Sequence, residues 1–141
     1  MINTINELKY DDIFIGQQES FSINITESMV EKFSNLSGDL NPLHMDNEFA
    51  ESSSFKKRIV HGMLLASFFS QLIGMKLPGK NALYFSQTLN FRSPCYIDDR
   101  IEIIGEVIEK SDSTKIITVS TSIFNKSKTC LIDGIAKIIV K

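Results

Sequence analysis

The chain has no tryptophan, two cysteines, three prolines and two histidines in 141 residues, and each scarcity removes a class of reading. Cys95 and Cys130 stand too far apart for a CxxC redox pair and fit no zinc-ligand spacing, so both are expected to be buried, reduced thiols. No stretch reaches the roughly 18 uninterrupted apolar residues of a membrane helix. The longest candidate, IVHGMLLASFFSQLIGM, is broken by His61, Ser67, Ser70 and Gln71 and reads as a buried core helix. An excess of one charge is missing too: 15 basic and 17 acidic side chains leave a net charge of −2, which gives no electrostatic reason to expect a nucleic acid or an anionic membrane as partner. There is no repeat, low-complexity tract or Gly/Ser/Pro linker, so residues 1–141 are expected to form a single domain. The start MINTINELKYDD lacks a basic segment followed by an apolar one, and the end IIVK carries no address signal, which makes the cytoplasm the expected compartment. GxSxG, GxGxxG and P-loop motifs are all absent, so serine-hydrolase, dinucleotide and nucleotide chemistry lack their basic signals.

What is present has a clear order. FSINIT alternates apolar and polar residues after Gly16 and predicts a short strand. Thr26 then supplies an N-cap, with Glu27 in the first turn, for a helix carrying Met29, Val30, Phe33 and Leu36 and stopping at Gly38. NEFAESS can form a short helix, and FKKRIV reads as an extended connection. From Gly62 to about Gly74, GMLLASFFSQLIG is apolar on nearly every face, which predicts a helix wrapped by protein. Four strand-like segments follow: ALYFSQTLNFRSP, RIEIIGEVIEK, KIITVSTSIFNK and TCLIDGIAKIIVK, separated by turn residues. The short connections predict an antiparallel meander, and the whole predicts an α+β fold in which the sheet curls around the long helix. Exposed strand edges make pairing with a second copy plausible.

One stretch gathers the chemistry. SGDLNPLHMD places Asp39 and His44 five residues apart across Asn41-Pro42. Pro42 fixes its own φ and keeps Asn41 out of helical geometry, so carboxylate and imidazole sit on a rigid bend. A carboxylate beside an imidazole is a usual acid/base pair, yet the same composition is what a plain turn needs, and by spacing alone the turn is the commoner use. Asp46 reads as a helix-start residue only. A second clue is RIVHGMLL, where His61-Gly62 stands at the start of the buried helix. Helix-start amides are free donors that can hold an oxygen gaining negative charge, although Gly62 serves equally well as a glycine for the turn. His61 reads as a structural hydrogen-bonding residue. Convergence of Asp39, His44, Asp46 and His61 on a metal has no supporting HExxH or CxxC spacing, and no metal is expected.

The residues Phe33, Leu36, Ser37, Gly38, Asp39, Asn41, Pro42, Leu43, His44 and Ala50, in FSNLSGDLNPLHMDNEFA, resemble the hydratase motif of the MaoC-like, (R)-specific enoyl-CoA hydratases without a departure. The likeness extends to FIGQ, IVHGMLLASFFSQLIG and YFSQTLNFRSP, and so covers most of the chain. It implies a hot-dog fold, usually a homodimer or a dimer of dimers, and reversible syn hydration of a trans-2-enoyl thioester to the (R)-3-hydroxyacyl thioester without metal or cofactor. By the resemblance, Asp39 and His44 hold and activate one water, the Gly62 amide binds the thioester carbonyl, and Asn41 and Ser70 support the site. Lys56, Lys57 and Arg58 form a basic cluster that could meet coenzyme A phosphates or the arm of an acyl carrier protein, or simply lie solvated at the surface; Arg92 carries the same two readings. Leu65, Phe68, Phe69 and Leu72 are candidates to line an acyl tunnel. The same fold admits a 3-hydroxyacyl-[acyl-carrier-protein] dehydratase, or a non-catalytic thioester-binding module, which would be expected to have lost Asp39 or His44.

Overall fold

The computed structural model describes residues 4–141. A 3-10 turn at Tyr10–Asp12 leads to β1 (Gln18–Asn24), then α1 (Glu27–Ser37), α2 (Pro42–Met45), α3 (Asn47–Ser52) and α4 (Gly62–Gln71). The second half supplies β2 (Ala82–Gln87), β3 (Asn90–Phe91), β4 (Arg100–Ser111), β5 (Ile116–Asn125) and β6 (Cys130–Val140). All pairings are antiparallel in one six-stranded sheet of order β1-β4-β5-β6-β2, with the short β3 also on β6. β4, β5 and β6 form the expected meander. β1 closes one edge and β2 the other, as the sequence pattern suggests, and the sheet has one strand more than expected. The segment 82–94, expected as one strand, breaks after Gln87 because β6 is irregularly paired there: the Thr88 amide donates to Ile135 O at 2.9 Å, and the Ile135 amide donates to Thr88 Oγ1 at 2.8 Å.

The sheet buries one face against α4. On β4, Ile101, Ile103 and Val107 are buried at every second position, with Gly105 between the last two, as period-2 alternation requires. Gly105 is paired with Thr121, and Thr121 with Gly134, so a row of small residues crosses the sheet under the helix. That row sets how closely the helical segment approaches, since a Cβ at 105 would lie 2.8 Å from Leu72 Cδ2. Ile25, Val30, Val60, Leu65, Phe69, Leu72, Ile101, Ile103, Ile123 and Leu131 make the core near the functional stretch. Tyr10, Ile13, Ile73, Leu77, Val107, Val119 and Ile138 make a second cluster at the far end.

Two expectations need correction. The helical segment does not run unbroken to Gly74: α4 ends at Gln71 and the chain continues as a π turn over Leu72–Lys76. Nor is α4 wrapped on every side, for Met63, Ser67 and Ser70 are exposed on its outer face. The sheet covers only the face bearing Leu64, Leu65 and Phe69. Cys95 is buried as expected, whereas Cys130 is only partly so. Among the described residues no helix is long and apolar enough to cross a membrane.

Gly134 tests the row of small residues. A methyl group there would overlap the Thr88 carbonyl oxygen, a backbone atom that cannot swing aside. Gly134→Ala is expected to cost about 3 kcal/mol, read as a lower urea midpoint with an unchanged slope.

Candidate active site

The loop between α1 and α3 is built by its caps. Thr26 Oγ1 accepts the Met29 amide at 3.2 Å and starts α1. Gly38, at φ +80°, ends it with its amide on Ser34 O at 2.9 Å, a left-handed conformation that suits glycine. Asn41 Oδ1 accepts the Leu43 amide at 3.0 Å, so Asn41 caps α2 and Pro42 takes its first position. Asp46 Oδ1 accepts the Glu48 and Phe49 amides at 2.9 and 3.1 Å and opens α3, a helix-start role only.

These turns bring Asp39 and His44 together with His44 Nε2 3.9 Å from Asp39 Oδ2. The imidazole side chain is 14% exposed and the carboxylate 50%. His44 Nδ1 lies 2.8 Å from the carbonyl oxygen of Ile59. A carbonyl oxygen can only accept, so Nδ1 carries the proton and Nε2 presents a lone pair toward Asp39. Two acceptors at 3.9 Å form no direct hydrogen bond. One water can donate to both, which leaves its oxygen lone pairs free to attack.

His61 stacks on His44, with ring centroids 3.9 Å apart and planes 27° apart, and meets the edge of Phe33 at 4.9 Å. Burial lowers its pKa, with His44 adding to the lowering, while the bond to the Asp39 main chain and the Asp39 charge oppose it. Ser34, whose Oγ lies 3.0 Å from His61 Nε2, is a buried neighbour that the sequence reading overlooked. Ser34 lies one turn after Val30 on the buried face of α1.

Gly62 begins α4 beside this group. The Leu64 and Leu65 amides both donate to His61 O, at 3.1 and 3.2 Å, and among the described residues the Gly62 and Met63 amides have no acceptor. Gly62 also lines a pocket of ≈ 430 Å³ with Val60, Met63, Leu65, Phe91, Arg92, Cys95, Leu131 and Ile132, within the size range of small-molecule sites. Of the four candidate tunnel residues, Leu65 lines it, while Phe68, Phe69 and Leu72 pack into the core.

The remaining candidates fall elsewhere. Ser70 is exposed, about 12 Å along the helix from Gly62, and has no hydrogen-bond partner among the described residues, so the structure does not join it to the pair. Arg58 does not lie solvated at the surface. It is buried, with Nε donating to His44 O at 2.6 Å and a terminal nitrogen to Glu27 Oε1 at 2.7 Å. Lys56 and Lys57 remain exposed beside it, with the Lys57 ammonium 5.9 Å from the Tyr96 ring centre. Arg92 is engaged by both carboxylate oxygens of Asp133, at 3.1 and 3.3 Å, and this pairing lowers the Asp133 pKa. Asp39, His44 and His61 offer three possible metal-ligand atoms within 4.8 Å of one another. His44 Nε2 faces Asp39, whereas His61 Nε2 is turned inward to Ser34 Oγ and the Asp39 carbonyl.

A family model described as the MaoC like domain matches residues 14–128. The (R)-specific enoyl-CoA hydratase of Aeromonas caviae is 39% identical over 120 residues, 85% of this chain and 90% of that protein. A mitochondrial 3-hydroxyacyl-[acyl-carrier-protein] dehydratase of Arabidopsis thaliana is 40% identical over 116 residues, 79% of this chain and 68% of that protein. The unliganded R-hydratase of Pseudomonas aeruginosa superposes with a TM-score of 0.92 at 33% identity, covering 96% of this chain and 87% of that one.

Arg58 separates structural from surface cations. Arg58→Ala is expected to cost about 2 kcal/mol by stripping charged hydrogen bonds from Glu27 and the His44 carbonyl, whereas Lys57→Ala should stay within about 0.5 kcal/mol. Urea unfolding of the two variants makes the comparison.

Proposed function

Because the chain belongs to the MaoC-like family, we propose that it is an (R)-specific enoyl-CoA hydratase, a hydro-lyase that adds water reversibly across a trans-2-enoyl-CoA to give the (R)-3-hydroxyacyl-CoA. The observation that carries the reading is the 3.9 Å gap between His44 Nε2 and Asp39 Oδ2, with Nδ1 tied to Ile59 O. A water donating one hydrogen to each group is polarised toward hydroxide. As its oxygen bonds to C3, the pair takes one of its protons and a proton is returned to C2, so both new bonds form on the face of the substrate turned to the pair. That is syn addition. Proton transfer by positioned groups of this kind contributes roughly 10²–10⁴ in rate.

The carbonyl of the thioester gains negative charge as C3 is attacked. The free Gly62 amide, at the positive end of a ten-residue helix, is placed to receive that oxygen, and the pocket it lines takes the thioester and the start of the acyl chain. Asn41 supports the pair by capping α2. No metal or redox cofactor takes part in this scheme. Lys56 and Lys57, exposed beside a second pocket that they line with Arg58 and Tyr96, are left to meet carrier phosphates. The relative from Arabidopsis thaliana keeps the acyl carrier protein open as the carrier, and one acyl chain offered on both carriers distinguishes them.

The active unit is a pair of chains. β2 is an edge strand whose Leu83, Tyr84 and Phe85 are all exposed, next to exposed Phe91 and Met63. Unpaired edges bearing large apolar side chains favour isologous pairing with a second copy.

Purified protein is expected to consume crotonyl-CoA, seen as loss of the conjugated thioester absorbance. Asp39→Asn and His44→Ala should each lower kcat at least about 100-fold at a temperature where both variants are folded, and near-native turnover in both folded variants would refute the assignment. Phe85→Lys is expected to shift the protein from two chains to one in sedimentation velocity, through a charge placed on the pairing edge.

A further inference from the structure

Among the described residues, the one buried side-chain nitrogen without a hydrogen-bond partner is Nδ1 of His61. The other nitrogen of that ring is fully engaged. Nε2 lies 3.2 Å from the main-chain carbonyl oxygen of Asp39 and 3.0 Å from Ser34 Oγ. The carbonyl oxygen can only accept, so the ring proton sits on Nε2 and Nδ1 is bare. Ser34 is compatible with this, since its hydroxyl donates to Met45 Sδ at 3.0 Å and leaves its oxygen to accept from His61. With one nitrogen spent on the main chain and the other sealed in the interior, at 2% exposure for the residue, His61 has no free atom with which to touch a substrate.

Its contacts nevertheless reach every part of the site through different atoms. The Nε2 proton holds the carbonyl of Asp39 itself, and so determines where the main chain carries the carboxylate. The ring face lies against the imidazole of His44 at 3.9 Å. The His61 carbonyl accepts the Leu64 and Leu65 amides and thereby starts α4, leaving the next residue, Gly62, with its amide unspent.

We propose that His61 is a positioning residue for the hydration: it sets the separation of Asp39 from His44 and provides a neutral stacking surface for the ring that exchanges the proton. This rests on the hydratase reading above. Two imidazoles stacked this closely repel if both are charged, so a ring held neutral leaves its neighbour free to accept a proton. The titratable groups that face His61 are Asp39 and His44; from α1 it meets the uncharged Phe33 and Ser34. Burial, the leading cause of its lowered pKa, agrees with the neutral ring that the hydrogen bonds require.

Two variants separate the parts. His61→Gln places a side-chain N–H where Nε2–H lies, and His61→Phe keeps the stacking ring without the donor. With crotonyl-CoA, the Phe variant is expected to lose about 100-fold in kcat, the order of loss that a misplaced catalytic group produces, with KM within about threefold. The Gln variant should recover to within about tenfold of the native kcat, and melting temperatures establish that both are folded. Because the chain has two histidines, histidine-selective isotope labelling resolves each ring by nuclear magnetic resonance. The native protein should show His61 protonated on Nε2 and His44 on Nδ1. The Nε2 chemical shift of His44, which reports its contact with Asp39, should move in the Phe variant and return toward its native value in the Gln variant. Equal losses in the two variants, a loss confined to KM, or a native kcat with an unmoved His44 Nε2 shift in the Phe variant would each overturn the proposal. Inactivity of the native protein toward crotonyl thioesters on either carrier would sink the hydratase reading instead. The His44 Nε2 chemical shift would then decide the positioning role without reference to turnover.

Discussion

The hydrogen bond from His44 Nδ1 to the Ile59 carbonyl holds a one-turn helix that cannot hold itself. A four-residue helix has almost no internal stability, so α2 takes its position from the strand-like segment 58–61. That segment grips α2 three times: the Ile59 amide donates to Leu43 O at 3.3 Å, His44 Nδ1 donates to Ile59 O at 2.8 Å, and Arg58 Nε donates to His44 O at 2.6 Å. It is itself fixed from behind, where the Val60 amide donates to Cys95 O at 2.7 Å and Ile59 bridges to Tyr96. Placement of the imidazole therefore passes from the sheet, through the connection before β4, to one extended segment and then to the ring.

The same bond decides what the ring can do. Anchoring Nδ1 assigns the tautomer, and the tautomer gives the nitrogen facing Asp39 its lone pair. His61 uses the opposite tautomer for the opposite purpose, its Nε2 proton turned inward to the main chain. Two residues of identical chemistry thus diverge because different carbonyls claim different nitrogens. Burial then widens the difference, His61 lying inside the core while the carboxylate partner of His44 reaches solvent.

What was legible in the sequence was local or periodic. Asp39, Pro42 and His44 lie within one bend, so their spacing already implied a shared position, and alternation in β4 or β5 announced the sheet. What escaped depended on partners distant in the chain. Arg58 follows two exposed lysines and reads as the end of a surface cluster, but an extended segment alternates sides and turns it inward to Glu27. Ser34 was hidden because a hydroxyl on a helix gives no sign of whether a histidine 27 residues away will meet it. The open outer face of α4 has a related cause: hydropathy reports that a face is apolar, not whether its own chain or a second copy covers it. The break at Thr88 comes from irregular pairing with β6, which no single strand's composition reveals.

Gly62 leaves one further mark on the site. A Cβ at this position would lie 2.5 Å from Phe91 Cδ1, so the ring of Phe91 rests directly on the glycine and walls the pocket there. The missing methyl group serves the wall as much as the amide. An alanine at 62 would push the ring aside and reshape the pocket, and lost turnover would be credited to the wrong atom. The N–H is interrogated cleanly by a backbone ester at 62, which deletes the donor while leaving the aromatic wall where it stands.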